Sequence, residues 1–454
     1  MIELLRRAAR DSPDSPAIVC DEQTWSYGAL LERSEALAAA LVGAGITRFG
    51  AITSDPASVV TLLAASSLSG VEVCQYPPAG DEETTMALAE RLDHDVVVTD
   101  PDVLPGIAGR TTIDELLAAG PSDRAVEVPD DRPLLVLTTG TTGAPRAARH
   151  DWNRVLRAAS RIQPAPDQRW LLAYGLHQFA GLQILVHVLG AGATLVVPAS
   201  SRPLDGLEAI RRHDVRFASA TPTWWRFLLA ELRSTGGGSL PFVQITLGGE
   251  ASPESLLEQL AEAFPGARIV HVYAATEVGS TGSVGDGHEG LHTSVLDRGD
   301  DADIAMRVTD GELWVRSRVG MLGYYGEPPI DPDGWRPTGD LVEIEGDRIL
   351  FRGRTSEVIN VGGVKVHPLP IEDLVERVPG VDVARVYGRP NKMTGAIVAV
   401  EAVAAPGIDH EALIDAIRDA CGDLPAASRP RSIKVVEDIA THGGKRTRRS
   451  TDVG

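Results

Sequence analysis

The sequence predicts an α/β protein in two parts, a large N-terminal domain of layered sheets and helices and a small α+β C-terminal domain. Three observations predict it. Helical stretches alternate with short β-branched runs through roughly the first 350 residues, the signature of buried strands in an α/β architecture. Near residue 340 the pattern changes to strands separated by tight turns. The length of 454 residues allows two or three domains at about 150 residues each.

The elements follow in order. The opening MIELLRRAARDSPDSP carries Arg6, Arg7 and Arg10 where a signal peptide needs an uninterrupted apolar run, and it reads as a short amphipathic helix. LLVLT (134–138) is an apolar strand. The most apolar stretch, Gly181 to Ala199, is broken by Gln183, His187, two glycines and Thr194. A membrane span needs about 20 mostly apolar residues, so this stretch is read as helix, glycine turn and strand TLVV. VRFASA (215–220), QITLGG (244–249) and RIVHVY (268–273) are further strands ending in small or turn-forming residues. Between the last two, Ser252 and Pro253 supply an N-cap and a first-turn proline for a helix with Leu256, Leu257, Leu260 and Phe264 on one face. Gly236 to Gly238 mark a surface loop. Gly346-Asp347 forms the hairpin turn between VEIE and RILF. Then come the helix PIEDLVERV, strands VARVYG and AIVAVEAV, the helix HEALIDAIRDA and the strand SIKVVE. The boundary falls near Ser356, giving domains 1–355 and 356–454.

Composition excludes several classes. Hydrophobic residues at 43% and charged residues at 23% are those of a folding chain. Asp plus Glu number 63 against 43 Lys plus Arg, and the formal charge of -20 opposes binding to nucleic acid or anionic lipid. Cys20, Cys74 and Cys421 are too few and scattered for a disulfide framework or a zinc site, which fits a reducing compartment. A cytoplasmic protein with no nucleic-acid partner and no membrane span is expected.

Four motifs carry possible chemistry. LTTGTTGAPR follows the LLVLT strand, and its Thr138, Thr139, Gly140, Thr141, Thr142, Gly143 and Arg146 suit a loop that wraps phosphate oxygens. It is not the common nucleotide P-loop, since Pro145 stands where that motif demands glycine; a polar turn is the alternative. VYAATE ends the strand RIVHVY, and ligands sit at the carboxyl ends of such strands. Tyr273, Thr276 and Glu277 there suit a base, a phosphate and Mg²⁺; a helix start capped by Thr276 is the alternative. PTGD (337–340) and FRGR (351–354) offer Asp340 for two ribose hydroxyls and Arg354 for charge, or two solvated turn residues. GGKRTRR (443–449) is a glycine pair carrying Lys445, or a basic surface tail.

In this order and spacing the motifs resemble those of the acyl-adenylate-forming superfamily, which includes acyl-CoA synthetases, aryl-acid ligases, luciferases and the adenylation domains of peptide synthetases. TTGTTGAPR resembles the family's phosphate loop, YAATE its Tyr-Gly-x-Thr-Glu motif and GWRPTGD its ribose segment. GRTSEVINVGGVKVHPLPIED resembles its hinge region, GGKRTRR its catalytic-lysine motif, and GELWVRSRVGMLGYYG (311–326) the stretch before the ribose motif. The resemblance implies an AMP-forming acid–thiol ligase using ATP, Mg²⁺ and CoA, or the phosphopantetheine of a carrier protein. It assigns Thr138, Thr139, Thr141 and Thr142 to the phosphates, Tyr273 to adenine, Thr276 to the α-phosphate and Glu277 to the metal. Gly248, Gly249, Glu250 and Ala251 would line the adenine slot, Asp340 and Arg354 would hold the ribose, and Lys445 would bridge carboxylate and α-phosphate. Such groups are needed because attack of a carboxylate on a phosphate brings two anions together. The chain departs from the family at Arg146, where lysine is usual, at Ser356, where the hinge is usually Asp or Lys, and in lacking a proline ahead of the glycine–lysine pair.

LLAYGLHQFAGLQILVHVLGAG (171–192) resembles the stretch beside the family's acyl pocket. His177, Phe179 and Gly181 are candidates there, joined by Thr221, Trp224 and Trp225 from SATPTWWRFLL; both tryptophans read equally as core packing. Amino-acid-activating relatives carry an Asp in the first segment, and this one has no carboxylate, so a simple carboxylic acid is expected. Gly362 and Gly363 fall where relatives admit pantetheine close to the backbone, which favours a thioester product with CoA ahead of a carrier protein. The resemblance also implies that the C-terminal domain is a mobile lid that rotates about Ser356. An adenylating enzyme passing its acyl group to an amine, and a nucleotide-binding relative without catalysis, remain the alternatives.

Overall fold

The computed structural model describes residues 1–78, 80–120, 126–138 and 145–448. Among them, three sheets build the larger part of the molecule, with eight, seven and five strands, and a further five-stranded sheet lies in the C-terminal part. In the first sheet, strands Arg268–Ala275, Gln244–Gly248, Phe217–Ala220, Arg169–Leu172, Thr194–Val197 and Pro16–Cys20 run parallel in that order. Antiparallel Gly279–Val284 and Gln23–Ser26 close its edges. Parallel strands need crossovers, and helices supply them on both faces.

The local signals act as read in most places. The helix Phe179–Ala191 stops at Gly192, whose φ of 66° is the left-handed conformation glycine adopts freely, and the strand Thr194–Val197 follows. The amphipathic first helix, Ile2–Asp11, buries Ile2, Leu5 and Ala8 and leaves Arg6 to pair with Glu35. Gly346, at φ 59°, turns the hairpin between Arg336–Glu345 and Arg348–Arg354 in the antiparallel third sheet.

Two readings are corrected. The helix after Gln244–Gly248 is Glu254–Ala263, with Pro253 rather than Ser252 at its N-cap and no side-chain cap. Pro253 holds ψ at 153°, outside the helical range, so the helix starts one residue later than a first-turn proline would place it. The segment after Ala275 is a turn leading into Gly279–Val284, so Thr276 caps no helix; the return strand pairs with the one it leaves.

In the second sheet, Pro133–Thr138 lies between parallel Glu72–Gln75 and antiparallel Arg146–Asp151. Thr139, Gly140, Thr141, Thr142 and Gly143 lie outside the described residues. The C-terminal sheet carries helices Pro368–Glu376 and His410–Ala420 over its own core of Ile359, Ile371, Val375, Val386, Val400 and Ile417. No helix among the described residues is long and apolar enough to cross a membrane.

Candidate active site

A cavity of about 480 Å³ opens at the carboxyl ends of Gln244–Gly248 and Arg268–Ala275, between the large sheets and the C-terminal part. Ligands of open α/β sheets occupy this position. Gly249, Glu250 and Ala251 form one wall, Tyr273 another, and Asp340, Phe351 and Arg354 a third; Ser356 and Lys445 complete it.

Asp340 and Arg354 face each other across the hairpin pair Arg336–Glu345 and Arg348–Arg354. The Arg354 Nε donates to Asp340 Oδ1 at 3.1 Å. Tyr273 donates its hydroxyl to Asp340 Oδ2 at 2.6 Å, and its ring stacks on Phe351 at 5.1 Å. Burial first, then Asp340, pushes the Tyr273 phenol well above its ordinary range, so it stays a donor. Asp340 in turn holds the Arg354 guanidinium above its usual value. The arrangement offers a flat ring beside a carboxylate and a cation, suited to a base and a ribose.

Lys445 arrives on a small hairpin, Thr441–His442 paired with Lys445–Arg446. Its stem lies against Gly249, whose φ is 85° and where a Cβ would come within 3.0 Å of the Lys445 Cε. Burial lowers the lysine pKa, and Glu250, Glu277 and Asp340 oppose that shift. A cation with these three carboxylates around it inside a cavity is positioned for a negatively charged reactant.

Glu277 sits in the turn after Arg268–Ala275, and its Oε1 accepts from the Tyr324 hydroxyl at 2.8 Å. The Arg146 guanidinium covers the Tyr324 ring at 3.4 Å and pairs with Glu327. No cluster of three His, Cys, Asp or Glu able to hold a metal occurs among the described residues. One anchored carboxylate nevertheless fits Mg²⁺, which is bound through one or two carboxylates plus substrate phosphates. Thr138 stands at the edge of this region, its hydroxyl donating to the Arg146 carbonyl at 3.2 Å.

The residues assigned to the acid behave differently. None of His177, Phe179, Gly181, Thr221, Trp224 and Trp225 lines the cavity. Trp225 is fully buried in an apolar cluster with Phe242 and Leu247, and its indole N–H donates to the Thr246 carbonyl at 3.1 Å. Trp224 packs edge-on to it, so core packing accounts for both. Phe179 is buried and stacks on His150. A Cβ at Gly181 would collide with the Gly175 carbonyl, so this glycine permits a close backbone approach, and the His177 ring packs over Gly175 itself. Gly362 and Gly363 form an exposed turn between Ile359–Val361 and Val364–Val366, away from the cavity.

Sequence reasoning missed Tyr324 and Gln178, although both lie in stretches it singled out. It also missed the buried charges Arg226, Glu372 and Glu376. The last two recur four apart in PIEDLVERV beside the core residues Ile371 and Val375, which is a readable sign of inward-facing carboxylates.

With the geometry in place, the family can be settled. The model of the AMP-binding enzyme family matches residues 5–325, and that of its C-terminal domain matches residues 370–445. The chain belongs to the AMP-binding enzyme family. It is an adenylate-forming ligase of the acyl- and aryl-CoA type. A feruloyl-CoA synthase of Amycolatopsis sp is 26% identical, with 96% of this chain and 95% of that protein covered. A fatty acid–[acyl-carrier-protein] ligase of Mycobacterium marinum is 26% identical, covering 87% and 85%. The fold is that of an anthranilate CoA ligase solved with anthranoyl-AMP, with a TM-score of 0.85, 18% identity and coverage of 98% and 95%.

Proposed function

We propose that the protein activates a carboxylic acid lacking an α-ammonium group, aryl acids first among them, and passes the acyl group to CoA. The observation that carries this reading is the meeting of Tyr273, Asp340, Arg354 and Lys445 in one cavity. The first three suit the nucleoside, and the lysine stands where an acid carboxylate and an α-phosphate would meet. Binding both anions side by side supplies proximity, and the lysine charge offsets the negative charge that builds as the carboxylate oxygen attacks phosphorus and pyrophosphate leaves. Tyr324 orients the Glu277 carboxylate; a bound Mg²⁺ there would supply charge neutralisation to the phosphates. In the second half-reaction a thiolate attacks the acyl carbon and AMP departs. Gly362 and Gly363 are away from the cavity while Lys445 is in it, which supports a domain that turns about Ser356 between the two steps. The absence of a carboxylate from 171–192 supports a substrate without an ammonium group, and the feruloyl-CoA synthase relative supports an aryl acid.

The test is acid-dependent exchange of pyrophosphate into ATP across a panel of aryl and aliphatic acids, followed by thiol-dependent AMP release. Exchange with an aryl acid, dependent on Mg²⁺ and abolished by chelation, is expected. ATP binding without exchange for any acid would overturn the reading. Transfer to a carrier protein is the second reading, favoured by the carrier-protein ligase relative; AMP release with a phosphopantetheinylated carrier but not with CoA would establish it.

A further inference from the structure

Lys445 touches the cavity through its side chain, and its backbone is held by three side chains of the large domain. Gly443 and Gly444, at φ 58° and 76°, turn the hairpin that carries it. The Gln178 Nε2 donates to the Gly443 carbonyl at 3.1 Å. The Thr221 hydroxyl donates to the Gly444 carbonyl at 2.6 Å. On the far side of the lysine, the Arg446 backbone N–H donates to Glu250 Oε1 at 3.1 Å. Three hydrogen bonds thus bracket Lys445 on both flanks.

Each of the three side chains is fixed on its own side by a second bond. Gln178 Oε1 accepts from the Gly175 N–H at 3.0 Å. The Thr221 oxygen accepts from the Trp224 N–H at 3.1 Å, capping the helix Pro222–Ser234. Glu250 Oε2 accepts from the Thr223 N–H at 3.1 Å. The groups therefore come from three separate elements of the large domain, each anchored there and each extending a single bond to the hairpin.

We propose that Gln178, Thr221 and Glu250 form a dock that positions Lys445 for acyl-adenylate formation. They touch the lysine's backbone neighbours and not the reacting atoms, so they are positioning residues. Thr221, which the sequence assigned to the acid, and Glu250, which it assigned to adenine, take this role by contact. The inference rests on the reading of Lys445 as the lysine of the first half-reaction. Two flanking carbonyls and one N–H fix the strand in translation and in twist, and Gly249 bounds the stem. Release of the dock frees the lysine to swing, and a misplacement of about 1 Å can cost ~100-fold in rate.

The experiment measures the two half-reactions separately, acyl-AMP formation from acid and ATP, and thioester formation from supplied acyl-AMP and CoA. Gln178→Glu keeps the acceptor for the Gly175 N–H but turns the donor facing Gly443 into a second acceptor. It is expected to slow acyl-AMP formation by ~10- to 100-fold, through kcat with the KM for ATP little changed, and to slow thioester formation by a much smaller factor. Thr221→Val is expected to do the same, and Thr221→Ser, which keeps both hydroxyl bonds, to restore the rate. Lys445→Ala is the reference. If Lys445→Ala slows only the first step while Gln178→Glu and Thr221→Val slow both steps equally or neither, the dock is wrong and the lysine reading stands. If Lys445→Ala slows both steps equally, the lysine reading falls with it. Melting temperatures keep a folding defect in the valine variant apart from these outcomes, and the isosteric Gln178→Glu decides the matter without it.

Discussion

Trp225 and its neighbour Arg226 are both buried, at 0% and 1% exposure, on the same helix. Trp225 points into an apolar cluster of the large domain, against Phe242 and Leu247. Arg226 points across the seam to the C-terminal part, where its guanidinium meets Glu376 at 2.6 Å. Glu376 also accepts from Arg446 at 2.6 Å, and Glu372 from Arg448 at 2.8 Å. Further along the same seam, Arg233 donates to Asp382 at 2.6 Å and Ser255 to Asp373 at 2.5 Å. The interiors on either side are apolar; the seam is ionic. The difference follows from what separation costs. Parting two apolar faces exposes hydrocarbon to water, with no compensation. Parting ions returns them to hydration, and the desolvation they escape offsets much of the attraction they lose. A seam of this kind holds one arrangement firmly in register yet opens at modest net cost, which fits the proposed turning of the C-terminal domain between two half-reactions.

Substitutions can break that contrast on either side. Trp225→Ala removes a fully buried indole, and a loss of about 3–5 kcal/mol is expected from the cavity left behind. Urea unfolding should show it, with both half-reactions falling together. Arg226→Met should cost less than the about 3–5 kcal/mol of a fully stranded buried charge, because Glu376 keeps Arg446 as a partner. Its effect should fall on domain docking: slower acyl-AMP formation and faster protease cleavage near Ser356, with the unfolding of the large domain unchanged. A drop in large-domain stability matching that of Trp225→Ala would erase the contrast.

Acid provides the next test. Burial alone would raise the Glu372 carboxyl, but Arg448 and Arg446 override it and hold the pKa below the usual carboxylate value. A depressed folded-state pKa means that its contribution is fully present above the unfolded value of about 4.3 and is lost as pH falls through the lower folded value. Protease sensitivity of the C-terminal hairpin should therefore rise on acidification below about pH 4, before the tryptophan near-UV signal of the large core collapses. Simultaneous loss of both signals would argue against a separate ionic seam. The smallest effect is expected from Ser255→Ala, which removes one part-buried bond to Asp373. A shift of about 0.5–1.5 kcal/mol in docking, and none in the core, is anticipated from that loss.

Much of this was legible in the sequence wherever local rules decide. The strands Gln244–Gly248 and Arg268–Ala275, the glycine stop at Gly192 and the Gly346 hairpin all follow from periodicity and turn chemistry within a few residues. The cavity wall of Tyr273, Asp340, Arg354 and Lys445 was readable because their motifs have fixed order and spacing. What escaped was set by distant partners. Tyr324 acquires its role from Glu277, 47 positions away, and Gln178 from Gly443, 265 positions away. The turn at Thr276 was open to a helical reading because the strand that pairs back onto Arg268–Ala275 gives no local signal. The tryptophans were ambiguous because area burial and a ligand pocket call for the same side chain, and only their neighbours separate the two.

The positive charge of the cavity has a chemical quality besides its sign. Arg354, Arg446 and Arg448 line it together with Lys445. An acyl adenylate is a mixed anhydride that acylates any free amine within reach. A guanidinium keeps its proton far above neutral pH and offers no lone pair to such an electrophile. Lys365, Lys392 and Lys434 are the other lysines of the chain, and none of them lines the cavity. The wall can therefore attract and hold anions through arginine while presenting the reactive acyl adenylate with one lining amine, that of Lys445. Burial lowers the pKa of that amine, and Glu250, Glu277 and Asp340 oppose the shift, so the carboxylates that counter its loss of charge also restrain the enzyme's self-acylation.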